Sequence, residues 1–242
     1  MISLMDLKNK VAVVTGASDG IGKEISLKLA KDGARLALVS RNKEKLEEVV
    51  KECMGLGSPD ARSYPCDLRN PEQIKQVVSQ TMSDFGGIDV LINNAGIWQK
   101  IGQLEEASLE VIQNVIDTNL TGLVMMTSLV LPQLRNRDEA AIVNISSHSG
   151  IEAKPGQSVY CASKWGVAGF TETLRADLKG TNIRVAGVYQ GGTRTKLFEK
   201  ANDPKNAELF NKFTEPSDLA EVVVFMLSRP PKIWLHDVRV EF

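Results

Sequence analysis

The chain has 242 residues, with 29 basic and 30 acidic side chains and a formal net charge of -1. This length suffices for one large α/β domain with a sizeable core. The even charge balance argues against nucleic acid or a membrane surface as the main partner. Three isolated cysteines and two histidines predict no metal site and a reducing compartment, which we take to be the cytoplasm. We expect that no apolar stretch reaches membrane-spanning length and that the apolar run at the N-terminus is too short for a signal peptide.

Short apolar runs alternate with amphipathic segments along the whole chain. The predicted strands are Val11–Thr15, Arg35–Ser40, Ala61–Pro65, Ile88–Ile92, Ala140–Ile145, Ile183–Tyr189 and Asp237–Val240. The segments between them have apolar residues at helical spacing, and Pro71 and Pro216 stand where helices should begin. This alternation predicts an α/β fold in which a doubly wound, seven-stranded parallel sheet carries helices on both faces. We expect residues 1–242 to form one domain.

A glycine-rich turn follows the first strand, and a helix is predicted from Lys23 to Asp32. Glycines at 16, 20 and 22 allow a sharp turn that brings a pyrophosphate against the N-terminus of this helix. A nucleoside-triphosphate loop does not fit, because Ala17 and Glu24 replace the glycine and the Ser/Thr that such a loop needs. The alternative is a plain strand–helix turn. The predicted dinucleotide-binding residues here are Gly16, Ser18, Asp19, Gly20, Ile21 and Gly22.

The end of the second strand bears on the choice of cofactor. Ser40 stands where an acidic residue would bind the ribose 2′-hydroxyl of NAD, and Arg41 is suited to pair with a 2′-phosphate. We therefore expect NADP(H), with NAD(H) still possible. The alternative is that Arg41 is a solvated residue opening a charged helix.

Tyr160 and Lys164 are four residues apart, which places them on one helix face. A free tyrosine has a pKa of about 10, and a fixed positive charge beside it is expected to lower that pKa towards neutrality. Ser147 lies thirteen residues before Tyr160, at the end of a predicted strand. Its neighbour Ser146 is nearly as plausible locally, and the separation from Tyr160 favours Ser147.

Together these motifs resemble the short-chain dehydrogenase/reductase family over nearly the whole chain, a family with a Rossmann-like fold. Further matching segments are Asp67-Leu68, Asn93-Asn94-Ala95-Gly96, Asn119 and Gly191-Gly192-Thr193-Arg194-Thr195. The resemblance implies a catalytic set of Asn119, Ser147, Tyr160 and Lys164, in which Asn119 would hold a water in a proton relay. It also implies cofactor contacts from Arg41, Asp67, Leu68, Asn94, Ala95, Gly96, Tyr160, Lys164, Gly191 and Thr193.

The function implied is an NADP(H)-dependent oxidoreductase that interconverts a small-molecule carbonyl and a secondary alcohol, with Tyr160 as general acid or base. The glycine-rich tail that fatty-acyl-reducing members of this family carry is absent here. In addition, Gln190-Gly191 stands where the family usually has Pro-Gly. We therefore expect a small carbonyl or hydroxy-acid substrate rather than a 3-oxoacyl thioester. The alternative is a catalytically silent NADP-binding sensor or scaffold.

Three further expectations concern surfaces and loops. The stretch 190–214 is predicted to be an irregular substrate loop. Four residues are candidates for the pocket wall: Trp98, His148, Leu197 and Phe198. The helices at 108–135 and 158–179 carry apolar residues that one sheet face would not cover, and the resemblance implies a homodimer or homotetramer built on them. The examples are Val124, Met125, Met126, Leu129 and Val130.

Overall fold

The computed structural model describes residues 6–203, 210–230 and 232–241. The strands are β1 Val11–Thr15, β2 Arg35–Ser40, β3 Ala61–Pro65, β4 Val90–Asn93, β5 Ala140–Ile145, β6 Ile183–Gln190 and β7 Asp237–Val240. Five of these have the predicted bounds. Strand β4 begins two residues later and ends one residue later than predicted, and β6 extends one residue further.

The seven strands form one parallel sheet in the order β3-β2-β1-β4-β5-β6-β7. Neighbouring strands pair in parallel throughout, from Val11 opposite Arg35 to Gln190 opposite Val240. The chain reverses its direction of progress across the sheet between β1 and β4. Ligands of open α/β sheets bind at such a switch point, outside the carboxyl ends of the strands. The predicted doubly wound, Rossmann-like fold is confirmed.

Helices connect the strands, and several begin at residues that the sequence marks. Their bounds are α1 Gly20–Lys31, α2 Lys43–Leu56, α3 Pro71–Phe85, α4 Leu109–Ile116, α5 Gly122–Leu134, α6 Ser158–Asp177, α7 Leu197–Lys200 and α8 Pro216–Leu227. Pro71 and Pro216 occupy the first turns of α3 and α8, as predicted. Helix α1 begins at Gly20 rather than Lys23, because the end of the glycine turn already forms its first turn.

Two apolar clusters sandwich the sheet. One joins α1, α2 and α8 to the sheet through Ile25, Val49 and Leu219, and the other joins α3, α5 and α6 through Ile74, Met126 and Leu174. Buried side chains on both faces explain why the strands are apolar without alternation. Three apolar residues that we expected the sheet face to leave uncovered are instead packed in the core. Met126 and Val130 are fully buried, and Met125 packs against the cluster.

Helices α4 and α5 are joined by a π-helical turn at Asp117–Thr121. The resulting stretch Leu109–Leu134 is long and apolar enough, by length and composition, to cross a membrane. The expectation that no segment reaches that length was therefore wrong. A core helix passes the same test, and this one buries Met126, Val130 and Leu134 against the sheet.

The predicted substrate loop is more ordered than expected. After β6 ends at Gln190, a single bridge pairs Thr193 with Thr214, and helix α7 lies between them. A 3₁₀ turn at Phe210–Lys212 precedes α8. Residues 204–209 of the predicted loop lie outside the described residues. The described parts of this segment, 191–203 and 210–215, border the smaller of two cavities at the carboxyl ends of the strands, and we call these parts the lid.

Candidate active site

Two adjoining cavities lie at the carboxyl ends of the strands, at the switch point between β1 and β4. The larger has a volume of about 480 Å³ and the smaller about 320 Å³. Six residues line both cavities: Asp19, Gly96, Ile97, Trp98, Leu197 and Lys200. The two cavities therefore form one continuous crevice between the glycine turn and the lid.

The glycine turn borders this crevice with bare backbone. Gly16 and Gly20 have φ angles of +67° and +54°, in the left-handed region that disfavours other residues. A side chain on Gly22 would lie under 3.0 Å from the carbonyl oxygen of Gly16. Gly22 itself lines neither cavity, and its lack of a side chain lets the helix approach the turn closely. Its contact with the cofactor stays a prediction. The resulting cradle at the start of α1 fits a pyrophosphate.

Asn94 and Thr15 hold the glycine turn in place. The Asn94 Nδ2 atom donates to the carbonyl oxygen of Thr15 at 3.0 Å. The Thr15 hydroxyl in turn accepts hydrogen bonds from the backbone N–H of Asn94 at 2.9 Å and of Ala95 at 3.1 Å. Asn94 thus joins β4 to the turn after β1. It also lines the smaller cavity, whereas Ala95 lines the larger one.

Asp67 and Leu68, which the resemblance implies as cofactor contacts, line the larger cavity. Arg69 binds the Asp67 carboxylate through Nε, at 3.0 and 3.1 Å, and through its backbone N–H at 3.0 Å. These hydrogen bonds hold the pKa of Asp67 below its ordinary value. Sequence reasoning missed Arg69, although its position two residues after Asp67 was a usable signal.

A basic group lies at the larger cavity, where β2 runs into α2. Arg41 lines the larger cavity together with Ser40, Asn42 and Lys45. Within the described parts of the chain, no ion pair engages Arg41 or Lys45. Lys45 was not predicted, although it follows Arg41 by only four residues and lies in the first turn of α2. Asn42 caps α2 by accepting from the backbone N–H of Lys45 at 2.8 Å, so the N-terminus of the helix adds positive potential here.

The smaller cavity brings together Ser147, Tyr160 and Lys164. Ser147 is close enough to Tyr160 for its hydroxyl to lower the pKa of the phenol, and the Lys164 amine donates to the carbonyl oxygen of Ile145 at 3.1 Å. Ser146 is turned away, because its hydroxyl donates to the carbonyl oxygen of Lys164 and it does not line the cavity. The geometry favours Ser147 over Ser146.

Burial dominates the protonation states of Tyr160 and Lys164, and one expectation about them was wrong. Desolvation raises the pKa of Tyr160 to about 12, and the hydrogen bond from Ser147 only partly offsets it. Desolvation also lowers the pKa of Lys164 to about 8. Lys164 was predicted to lower the pKa of Tyr160, and this effect does not occur in this structure. The amine lies 5.8 Å from the centre of the Tyr160 ring and is hydrogen-bonded to Ile145.

Asn119 lies in the π-helical turn, fully buried and outside both cavities. Its side-chain oxygen accepts from the backbone N–H of Ile97 at 2.7 Å, and its Nδ2 donates to the carbonyl oxygen of Ile97 at 3.0 Å. Nδ2 also lies 3.1 Å from the Ser163 hydroxyl. The amide therefore clamps backbone, which favours a positioning role. Its part in a proton relay stays a prediction.

An aromatic wall, consisting of Trp98, Phe198 and Phe213, closes the lid side of the smaller cavity. Trp98 and Phe198 have ring centres 5.0 Å apart, and Phe198 and Phe213 5.8 Å. The edge of Trp98 also meets the Tyr160 ring, with centres 4.4 Å apart. His148 and Leu197 line the cavity as well, and so do Gly191 and Thr193. Gln190 accepts from the Thr193 hydroxyl at 3.2 Å.

Asp19 has a partner that the sequence did not suggest. Its carboxylate forms an ion pair with Lys200 of α7 at 2.7 Å. This contact joins the glycine turn to the lid across the crevice. Among the described residues, no group of three or more His, Cys, Asp or Glu side chains is placed to hold a metal ion.

Comparison with known proteins agrees with this geometry. The sequence profile of the short chain dehydrogenase family matches residues 10–206. The chain belongs to this family. Short-chain dehydrogenases bind NAD(P)(H) and are oxidoreductases that act on small molecules.

Two curated relatives cover most of this short-chain dehydrogenase. It is 38% identical to a 3-oxoacyl-[acyl-carrier-protein] reductase of Thermotoga maritima over 232 residues, which are 93% of this chain and 92% of the relative. It is 33% identical to a farnesol dehydrogenase of Aedes aegypti over 237 residues, which are 96% and 95% of the two chains.

Solved structures of the same fold include two enzymes with different named activities. Levodione reductase superposes with a TM-score of 0.89 at 29% identity, covering 96% of each chain. An alcohol dehydrogenase from Thermococcus sibiricus, in complex with 5-hydroxy-NADP, superposes with a TM-score of 0.85 at 26% identity, covering 95% of each chain.

Proposed function

We propose that this short-chain dehydrogenase interconverts a small carbonyl compound and a secondary alcohol with NADP(H). The observation that carries the proposal is that the hydroxyls of Ser147 and Tyr160 line one cavity with Lys164, which lies one helical turn after Tyr160, and that this cavity adjoins the larger one. A protein that only binds a dinucleotide has no need of two hydroxyl donors converging on one point. This pair therefore argues against the silent sensor or scaffold.

The cofactor would lie along the crevice. Gly16, Gly20 and the N-terminus of α1 would hold the pyrophosphate, and Asp67 and Leu68 would border the adenine. Gly191, Thr193 and Lys164 would border the nicotinamide riboside. When bound, the nicotinamide supplies or accepts the hydride.

The chain's own residues handle charge and protons. In reduction, negative charge develops on the substrate oxygen, and the hydroxyls of Ser147 and Tyr160 stabilise it by donating hydrogen bonds. Because the pKa of Tyr160 is about 12, its phenol keeps the proton at neutral pH and is in the form that donates it. In oxidation Tyr160 must instead accept the proton. Lys164, which is charged below a pKa of about 8, lines the same cavity as Tyr160.

The preference for NADP(H) is supported by Arg41 and Lys45. Both side chains line the end of the larger cavity, where the sequence has Ser40 in place of an acidic residue. Two cations without an ion-pair partner in the described parts of the chain, beside the N-terminus of α2, suit a 2′-phosphate. The solved alcohol dehydrogenase that binds 5-hydroxy-NADP is in line with this proposal.

The aromatic wall supports a compact apolar substrate. Trp98, Phe198 and Phe213 add ring surface to the cavity that the two hydroxyls line, which suits a carbonyl group attached to an apolar ring or chain. The similarity to proteins named levodione reductase and farnesol dehydrogenase is in line with this proposal. A second candidate is reduction of a 3-oxoacyl thioester, which the 38% identity to the Thermotoga maritima reductase favours.

The test is a substrate panel followed by nicotinamide absorbance, with NADPH and NADH in parallel. We expect faster reduction of cyclic and aryl ketones than of an acetoacetyl thioester, and faster reaction with NADPH. Tyr160→Phe should reduce kcat by roughly 100-fold or more, since it removes the proton donor. Arg41→Ala should weaken NADPH use and leave NADH use unchanged.

The outcomes separate the candidates. Tyr160→Phe at full turnover would contradict the mechanism, and NADH preferred by a wide margin would contradict the cofactor assignment. A thioester preferred over all ketones would establish the second candidate. Tight NADPH binding with no turnover of either substrate class would restore the silent binder.

A further inference from the structure

Helix α6, which carries Tyr160 and Lys164, lacks a cap from its own N-cap residue. The first N–H groups of a helix have no intrahelical partner and need an acceptor from elsewhere. Gln157 stands at the N-cap position and makes no side-chain bond to the helix. Its side-chain oxygen instead accepts from the Ser149 hydroxyl at 2.9 Å. Another residue must therefore satisfy the start of α6.

Gln99 provides that acceptor. Its side-chain oxygen accepts from the backbone N–H of Tyr160 at 2.8 Å, across 61 residues of sequence. Gln99 is buried, with 4% of its surface exposed, so water cannot readily replace this bond. The residue capped is Tyr160 itself, in the first turn of the helix.

The segment that carries Gln99 is anchored on both sides. Asn119 clamps Ile97 through two hydrogen bonds to its backbone. The Trp98 indole N–H donates to the buried carboxylate of Asp203, in the lid, at 2.9 Å. Since the Trp98 ring also packs against the Tyr160 ring, two consecutive residues contact Tyr160, one at its backbone and one at its side chain.

We propose that Gln99 is a positioning residue for catalysis, whose amide oxygen fixes the first turn of α6 and thereby aims the Tyr160 hydroxyl at the substrate. The proposal rests on the proposed function for its kinetic consequence, but the contact can be tested without turnover. Small misplacements of a catalytic group reduce the rate steeply. The bond should therefore matter more for kcat than for substrate binding.

The test compares Gln99→Met, which removes the acceptor at similar size, with Gln99→Glu, which keeps an acceptor oxygen. The chain has three tyrosines, so ¹³C labelling at Cζ allows an NMR titration, with Tyr160→Phe to assign the signal. In the wild type we expect Tyr160 to stay protonated beyond about pH 11. In Gln99→Met the loosened helix start admits water, and the pKa should fall towards the value of about 10 of a free tyrosine. Gln99→Glu should keep the high pKa.

The kinetic arm uses a ketone that the wild type reduces. Gln99→Met should lose kcat by roughly 100-fold with KM nearly unchanged, and Gln99→Glu should recover most of it. Gln76→Met, the same change at an exposed position of α3, is the matched control and should behave as wild type. If Gln99→Met does not fold, Gln99→Asn is used instead in both the NMR titration and the kinetic measurement. Its shorter side chain withdraws the acceptor oxygen from the Tyr160 N–H.

Two results would overturn the proposal. One is an acceptor-free variant that keeps the wild-type titration and kcat and loses only thermal stability, which would make the bond purely structural. The other is a Gln99→Glu variant as impaired as Gln99→Met. A wild type with no turnover would refute the proposed function, while the NMR titration would still decide the role of Gln99.

Discussion

Tyr160 and Lys164 show how burial acts on single residues. Each is 4–5% exposed, and desolvation favours the neutral form of both. The phenol therefore keeps its proton well above neutral pH, and the amine loses its proton unusually early. A cation held in such a place is costly, so its retention beside the hydroxyl pair suits a role in the reaction rather than in stability.

The pKa of Lys164 leads to a prediction about stability. The folded protein releases this proton at about pH 8, whereas the unfolded chain releases it at about 10.4. Between these values the unfolded state binds more protons, so the free energy of unfolding should rise with pH from about 8 to about 10. Above about pH 10 the raised pKa of Tyr160 should instead lower the free energy of unfolding as the pH rises.

In Lys164→Met the free energy of unfolding should not rise over this pH range, because methionine has no proton to release. Urea unfolding at several pH values between about 7 and 10 gives the free energy of unfolding of the wild type and of the variant. As the pH rises over this range, we expect the wild type to gain about 2 kcal/mol relative to the variant. Parallel pH dependences of the two proteins would contradict the prediction. Tyr64 and Tyr189 remain in both proteins and cancel in the comparison.

Among the elements, the turn from β1 into α1 depends most on the absence of side chains. Gly22 packs its Cα against the carbonyl of Gly16 and the amide of Asn94, which is itself bound to Thr15. The turn is thus a backbone assembly drawn from β1, α1 and β4. A change in any one of these elements should alter the anion cradle.

Gly22→Ala should therefore destabilise the protein by about 1–3 kcal/mol and weaken NADPH binding, since the turn must shift to accommodate the methyl group. Gly169→Ala is the matched control, because nothing lies within 4 Å of the position that its Cβ would take on α6. That variant should gain about 0.5–1 kcal/mol from lower backbone entropy of the unfolded chain, with unchanged NADPH affinity. Thermal unfolding and fluorescence titration measure both quantities. Equal effects of the two substitutions would refute this account of the turn.

At the scale of the whole molecule, most apolar side chains of α5 and α6 enter the core, and Trp165 is an exception. It lies on α6, next to Lys164, with 50% of its surface exposed. We propose that the chain forms a homodimer or homotetramer in which a second copy covers this face, in keeping with a family that is commonly oligomeric.

Trp165→Glu should then lower the mass measured by light scattering, because a charge would have to be buried at the interface. Leu56→Glu makes the same kind of change on α2, where Leu56 is 40% exposed, and should leave the mass unchanged. An unaltered mass for Trp165→Glu, or a monomeric wild type, would show that this face is not an interface between copies.

The sequence by itself determined the fold and many of the residues that line the crevice, because both depend on local signals. Apolar runs between helical patterns located every strand to within two residues. The spacing of Tyr160 and Lys164 placed them on one helix face, and the order of motifs indicated the family. These features follow from backbone periodicity and from the residue types that a tight turn tolerates.

Only the tertiary structure decided how those residues are used. The direction of the Tyr160 pKa depends on burial, which no short stretch of sequence specifies. The Asp19–Lys200 ion pair and the Gln99 cap join segments 181 and 61 residues apart. Such contacts arise where separate strands end at the same edge of the sheet, so their partners become neighbours only when the whole sheet has formed.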